Sequence, residues 1–133
     1  MMKDFQGVME SNGLLKAGRF YDLHNCYEFS GIYVGGNRCA RLYFEPHIEW
    51  GRNEVPVAIV FHDVEFLQVS SGLGVNAILN LDEVGYKEPG EEDDSWLDTE
   101  EQSCDAYHLL FRLTNNESIR IYSKRACLWE IAW

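Results

Sequence analysis

The chain has 133 residues, of which 46% are hydrophobic and 14% aromatic, and a formal net charge of −11. That size and composition fit one domain with its own core and exclude a wholly disordered chain. The acidic balance argues against surfaces that must neutralise phosphate or anionic lipid, so neither nucleic acid nor membrane is an expected partner.

Phe5, Val8 and Met9 recur at i, i+3, i+4, which predicts one short N-terminal helix broken at Asn12-Gly13. Residues 14–24 read as a further helical turn or a loop. From Tyr27 the pattern is β. CYEFSGIYV is aromatic and β-branched, Gly35-Gly36 is a turn candidate, and RCARLYFE alternates until Pro46 stops it. PHIEWGRNEVP is a polar connection. VPVAIVF is a nearly continuous apolar run, interrupted at His62-Asp63 and resumed in VEFLQV, which predicts a turn or bulge there. After the SSGLG loop, NAILNLDEVGY alternates, with Ala77, Leu79 and Leu81 opposite Ile78, Asn80 and Asp82.

Residues 88–105 read EPGEEDDSWLDTEEQSCD and hold nine of the chain's acids with no Lys or Arg, leaving −2 for everything else. The charge is therefore a local patch. Beyond it, CDAYHLLFRLT and SIRIYSK form a hairpin across Thr114-Asn115-Asn116-Glu117, because Asn tolerates positive φ. ACLWEIAW closes the chain as a further strand. Seven or eight short strands with short connections predict a single mainly-β domain over residues 1–133: a β-rich α+β protein built as an antiparallel β sandwich or open barrel, with the one N-terminal helix.

The chemistry-bearing residues form no catalytic pattern. His24, His47, His62 and His108 make no HxH, HxxxH or HExxH, and Cys26, Cys39, Cys104 and Cys127 make no CxxC, so no metal site and no cofactor are expected. Cys39 and Cys127 read as small core residues. The acidic run lacks the alternating carboxylates and Gly of a calcium loop, leaving a solvated loop or a weak divalent site. A crowd of acids gives no basis for choosing a glycosidase pair, and Ser70-Ser71-Gly72 matches no nucleophile or phosphate motif, so the expectation is a protein that is not an enzyme. MMKDFQGVMES lacks the apolar core of a signal peptide, and no apolar run approaches the roughly 20 residues that cross a bilayer, so a cytoplasmic location with reduced thiols is expected.

Trp96-Leu97 lies inside the acidic run. Trp96 either folds back to anchor the loop or stands out as a hot spot for a partner. Glu91, Glu92, Asp93, Asp94, Trp96, Asp98, Glu100 and Glu101 are accordingly the candidate partner-binding residues, and the partner they would attract is basic. Two other readings stand beside this one. The aromatic residues could line a ligand cavity within the barrel, making a small-molecule binder. ACLWEIAW could be an exposed edge that pairs across a two-fold axis into a homodimer.

The run from Ala58 to Leu81, with Phe61-His62-Asp63-Val64-Glu65-Phe66-Leu67 at its centre, resembles small bacterial immunity-type proteins and related uncharacterised β-rich domains. YHLLFRLTNNESIRIYSKRACLWE is similar to their closing hairpin and final strand. The resemblance implies a cytoplasmic protein that binds and neutralises a cognate toxin, or one whose role is unassigned. It implies no catalytic residue, because such proteins act by binding, and the long acidic insert is not part of the pattern. A basic toxin such as a nuclease suits the acidic segment, since its active site is positive to hold phosphate.

Overall fold

The structure, a computed structural model, describes residues 1–73 and 79–131. It is mainly β and antiparallel. Among the described residues ten strands are formed: β1 (Met2–Lys3), β2 (Gln6–Val8), β3 (Gly13–Lys16), β4 (Arg19–Tyr21), β5 (Tyr27–Gly35), β6 (Cys39–Pro46), β7 (Val57–Val69), β8 (Leu81–Lys87), β9 (His108–Leu113) and β10 (Glu117–Glu130). The main sheet runs β5-β6-β7-β10-β9-β8, with β1 added in parallel to β10. It curls until its two outer strands meet at one bridge, where Phe29 N–H donates to Leu79 O at 2.8 Å. The Ala77 and Ile78 positions of the expected alternation lie outside the described residues. Among the described residues no helix is long and apolar enough to cross a membrane.

The expected N-terminal helix is a three-stranded meander, β2-β3-β4. The spacing of Phe5, Val8 and Met9 was compatible with a helix, but the chain turns too often to propagate one. Asn12 (φ 49°) and the Ala17-Gly18 pair (φ 50° and 80°) sit in left-handed backbone, leaving segments far shorter than a stable helix. The small sheet delivers Phe5, Leu14 and Tyr21 to the core cluster of the main sheet. Its polar ties run to the last strand. The Asp4 carboxylate accepts the Leu128 N–H at 2.9 Å and pairs with Lys16 at 2.9 Å, and the Tyr21 hydroxyl donates to Glu130 at 2.8 Å.

β7 is one strand with a bend rather than two strands. Asp63 takes φ 56°, and the register against β10 slips between Tyr122 and Ser123, leaving Glu65 as the extra residue. The turn after β9 uses Asn115 (φ 63°) and Asn116 (φ 61°), as Asn-Asn predicts. SIRIYSK and ACLWEIAW, expected as separate strands, are continuous in the 14-residue β10. β10 pairs with β7 from Ile119 to Glu130 along one side, and along the other with β9 at Glu117–Ile121 and with β1 at Arg125 and Ala126. Trp133 lies outside the described residues.

The interior is filled by side chains. Phe44 and Phe111 are essentially inaccessible, and Phe44 contacts Phe29 edge-on (centroids 5.6 Å) and Phe111 (6.4 Å). Cys39 and Cys127 are half-buried rather than core residues.

Candidate functional site

Strand alternation fixes what the outer face of the sheet presents. Ile119, Ile121, Leu109 and Phe111 point inward and are fully buried, so Arg120, Tyr122, His108, Leu110 and Arg112 point outward. Register extends the rows. Gln68, Arg120, Leu110 and Gly85 lie side by side, Phe66 lies beside Tyr122 and His108 beside Lys87, and Arg112 lies opposite Glu83. Three cations, Lys87, Arg112 and Arg120, thus stand on one outer face.

The acidic segment is laid over them as a cover. It begins with a tight turn. Glu91 N–H donates to Glu88 O at 3.1 Å, with Pro89 and Gly90 between, and Gly90 at φ 85° supplies what a type II turn requires at its third position. Arg120 grips both ends of that turn, donating Nη2–H to Glu88 O (2.8 Å) and Nη1–H to Glu91 O (2.6 Å). Arg112 donates to Asp94 O and pairs more loosely with the Asp94 carboxylate at 3.8 Å. Lys87, fully buried, donates to Trp96 O at 2.6 Å and lies 3.2 Å from the Trp96 ring centroid. Further along, Leu97 lies on Gly85, where a Cβ would stand 2.7 Å from Leu97 Cβ, and Asp98 pairs its backbone with Tyr86 (3.0 and 2.8 Å). The buried cations therefore hold the backbone carbonyls of the segment. The exposed carboxylates, such as those of Glu92 and Asp93, stand above positive charge that offsets part of their mutual repulsion.

Between this cover and the outer face of β7 and β10 lies a cleft of about 610 Å³. Glu91, Glu92 and Asp94 form its acidic wall, and Phe66, Gln68, His108 and Arg120 its floor. No known protein family, curated protein or solved structure matches this chain.

The cleft's central pair is Arg120 and His108, each 8% exposed, with Arg120 Nε–H donating to His108 Nδ1 at 2.9 Å. That bond requires Nδ1 to be the acceptor, so the imidazole proton sits on Nε2. Among the described residues Nε2 has no hydrogen-bond partner, while the ring packs on Phe66 (centroids 4.5 Å) and Tyr122 (5.7 Å). Burial first, and then the Arg120 charge, push the imidazole below its ordinary value. The native chain thus binds this proton less readily than the unfolded chain. Its contribution to stability is complete above a pH of about 6.5 and declines as pH falls from there toward the lower native value. Urea midpoints measured between pH 7.5 and 5 should show that decline. His108→Gln, which keeps an acceptor for Arg120 without titrating, should flatten it; an equal slope in both proteins would assign the effect to other groups.

The eight sequence-derived residues have different surroundings. Glu91, Glu92 and Asp94 come together at the cleft. Asp93 points away from it into a local turn, accepting the Ser95 N–H at 3.0 Å, and these Ser95 hydrogen bonds hold its carboxyl below the usual range. Trp96 is 49% exposed, with one part stacked on Lys87, so it is an anchor that still shows a face to solvent. Asp98 is half-buried in its pairing with Tyr86, and Glu101 is exposed. Glu100 is an internal tie. It pairs with Lys3 at 3.2 Å, accepts the Gly7 N–H at 2.7 Å, and accepts the Tyr86 hydroxyl, whose ionisation is pushed strongly upward by burial and by that bond.

Arg120, His108, Lys87 and Arg112 were not among the sequence-derived candidates. The signal of His108, Arg112 and Arg120 was present in YHLLFRL and SIRIYSK, where polar residues interrupt Leu and Ile, and that of Lys87 at the end of LDEVGYK. Among the described residues, no group of three or more His, Cys, Asp and Glu side chains is arranged to hold a metal ion.

Proposed function

We propose that this chain is a non-enzymatic binding protein that receives a basic partner protein on its acidic cover, and that the partner is a toxin of the kind immunity proteins neutralise, with a cationic nuclease as the natural instance. The observation that carries the reading is the mounting of the cover. Arg120, Arg112 and Lys87 take backbone carbonyls, so Glu91, Glu92 and Asp94 stay available on a fixed scaffold rather than on a solvated tail. A preformed surface of one sign speeds encounter with the opposite sign and loses less entropy on docking. The packed contacts among Phe29, Phe44 and Phe111 support a solid interior over a ligand chamber. A cytoplasmic location belongs to the same proposal.

The test is capture from lysate of the native host at low and high salt, followed by quantitative binding of whatever basic protein is retained. Combined Glu91→Gln, Glu92→Gln, Asp93→Asn and Asp94→Asn changes keep the acceptors that shape the turn and remove the charge. The expected result is at least about a tenfold loss of affinity, mostly through slower association, with a shallower salt dependence. A captured partner whose affinity ignores both salt and these substitutions would remove the acidic cover from the mechanism.

A further inference from the structure

The bend at Asp63 divides the outside of the main sheet into two faces of opposite character. The acidic cover occupies one, above β8, β9 and the first half of β10. The other is built by β5, β6, the first half of β7 and the second half of β10. There Leu42, Ile59, Phe61 and Leu128 point inward and are buried, so their strand neighbours point out. Tyr33, Arg41, Val60 and Cys127 form one outward row, Tyr43, Ala58 and Trp129 a second, and His62 with Arg125 part of a third. Among the described residues the exposed cations without an ion pair are Arg38, Arg41, Arg52, Lys124 and Arg125. Arg41 and Arg125 stand in these rows, and Arg38 joins them at the bend, donating Nε–H to Val64 O at 3.2 Å. The acids of β5, β6 and β7 lie only at the ends of the face, Asp63 and Glu65 at the bend and Glu28 opposite Glu45 beyond Tyr43.

Guanidinium groups set among ring faces fit one class of anion better than others. Tyr33 is 58% and Trp129 56% exposed, and they stand three strand spacings apart, about 14 Å across the sheet, with Arg41 between them. β6 and β7 are paired on both sides along these rows, so an extended acidic peptide would find no main-chain partners on them. A nucleotide strand needs none. Its bases stack on rings, and its phosphates accept bidentate hydrogen bonds from arginine. The acidic balance of the whole chain, which argues against such a ligand, is concentrated in the cover on the other face, and its field is screened beyond about 10 Å at 0.1 M salt. We propose that this face binds single-stranded nucleic acid, with bases on Tyr33 and Trp129 and phosphates on Arg41 and Arg125. The proposal goes beyond the toxin-binding function and uses none of its residues.

The experiment follows the fluorescence anisotropy of short labelled oligothymidylate and oligouridylate as the intact chain is added, at salt from about 0.1 to 0.4 M. At the lower salt the tighter of the two should bind with a Kd of about 10 µM, and log affinity should fall against log salt with a slope of about −1.4, for two neutralised phosphates. Arg41→Gln with Arg125→Gln should weaken binding about tenfold or more and flatten that slope. Tyr33→Leu, which keeps an apolar side chain without the ring, should weaken it about fivefold and leave the slope as it was. These side chains are exposed, so the variants should keep the urea midpoint. No anisotropy change with either oligonucleotide, or binding that ignores both variants, would overturn the proposal. Competition by oligoglutamate as strong as by unlabelled oligonucleotide would overturn the base stacking and leave a general polyanion surface. Self-association of the chain, measured by sedimentation and lost in the double arginine variant, would give the face to a second copy instead. Each of these negative results leaves the acidic-cover function standing, because capture of a basic protein there is read through Glu91 to Asp94.

Discussion

Arg120→Leu is expected to lower folding stability by about 3 kcal/mol and to release the cover from the sheet. The guanidinium is 8% exposed and makes three hydrogen bonds, to Glu88 O, Glu91 O and His108 Nδ1. Leucine fills part of the space but donates nothing. The two carbonyls must then stay unsatisfied beneath the loop or regain water by lifting away, and the second course is the cheaper. Positive charge is lost under the acids at the same time, so their repulsion also favours lifting. Urea denaturation gives the stability change. Amide exchange gives the release, with the Glu91, Asp93 and Ser95 amides losing protection that the β9 and β10 amides keep. A stable variant with an undisturbed cover would mean that Trp96 on Lys87 and Leu97 on Gly85 suffice to hold it. The same variant should bind a basic partner more weakly, although no carboxylate has been touched.

The second large effect separates two acids only eight residues apart. Glu100→Ala is expected to cost about 2–3 kcal/mol, whereas Glu92→Ala should leave the urea midpoint nearly unchanged. Glu100 joins three otherwise separate parts of the molecule: Lys3 in β1, the Gly7 amide in β2, and the Tyr86 hydroxyl in β8. Removing it leaves a Lys ammonium, an amide and a phenol without their shared acceptor. Glu92 stands exposed on the cleft wall. For partner binding the order should reverse, with Glu92 carrying the larger loss. Equal stability costs would show that Glu100 is no more engaged than its neighbours.

The strands from Tyr27 onward were legible because period-two alternation and turn residues act locally. Asn115-Asn116 and the interruption at His62-Asp63 each marked a real backbone event. The N-terminal segment was misread because three apolar residues at i, i+3, i+4 do not distinguish a short helix from tight turns between very short strands; the deciding fact is tertiary, the docking of Phe5 and Leu14 onto the main core. Nothing in the residues around Arg125-Ala126 says that Met2–Lys3, far away in sequence, will pair with them in parallel. The acidic segment was legible as a patch of charge but not as a cover. Its order depends on Lys87, Arg112 and Arg120, which alternation alone places outward and which a census of acids overlooks. Similarly, Glu91 and Glu100 look equivalent in sequence; only the fold sends one to the cleft and the other to the seam between sheets.

The closing of β1 onto β10 has a kinetic consequence. Asp4 accepts from Leu128, Asp4 N–H donates to Ala126 O, and Met2 lies beside Arg125, so residues near opposite ends of the chain must find one another before either is satisfied. Such pairings repay the loop-closure entropy only late, which places this chain among slow folders of high contact order. During synthesis β7 would emerge with half of its hydrogen-bonding groups waiting for β10, which is made only after β8, the acidic segment and β9. Its apolar first half, Val57–Phe61, would be the segment most exposed to aggregation in that interval.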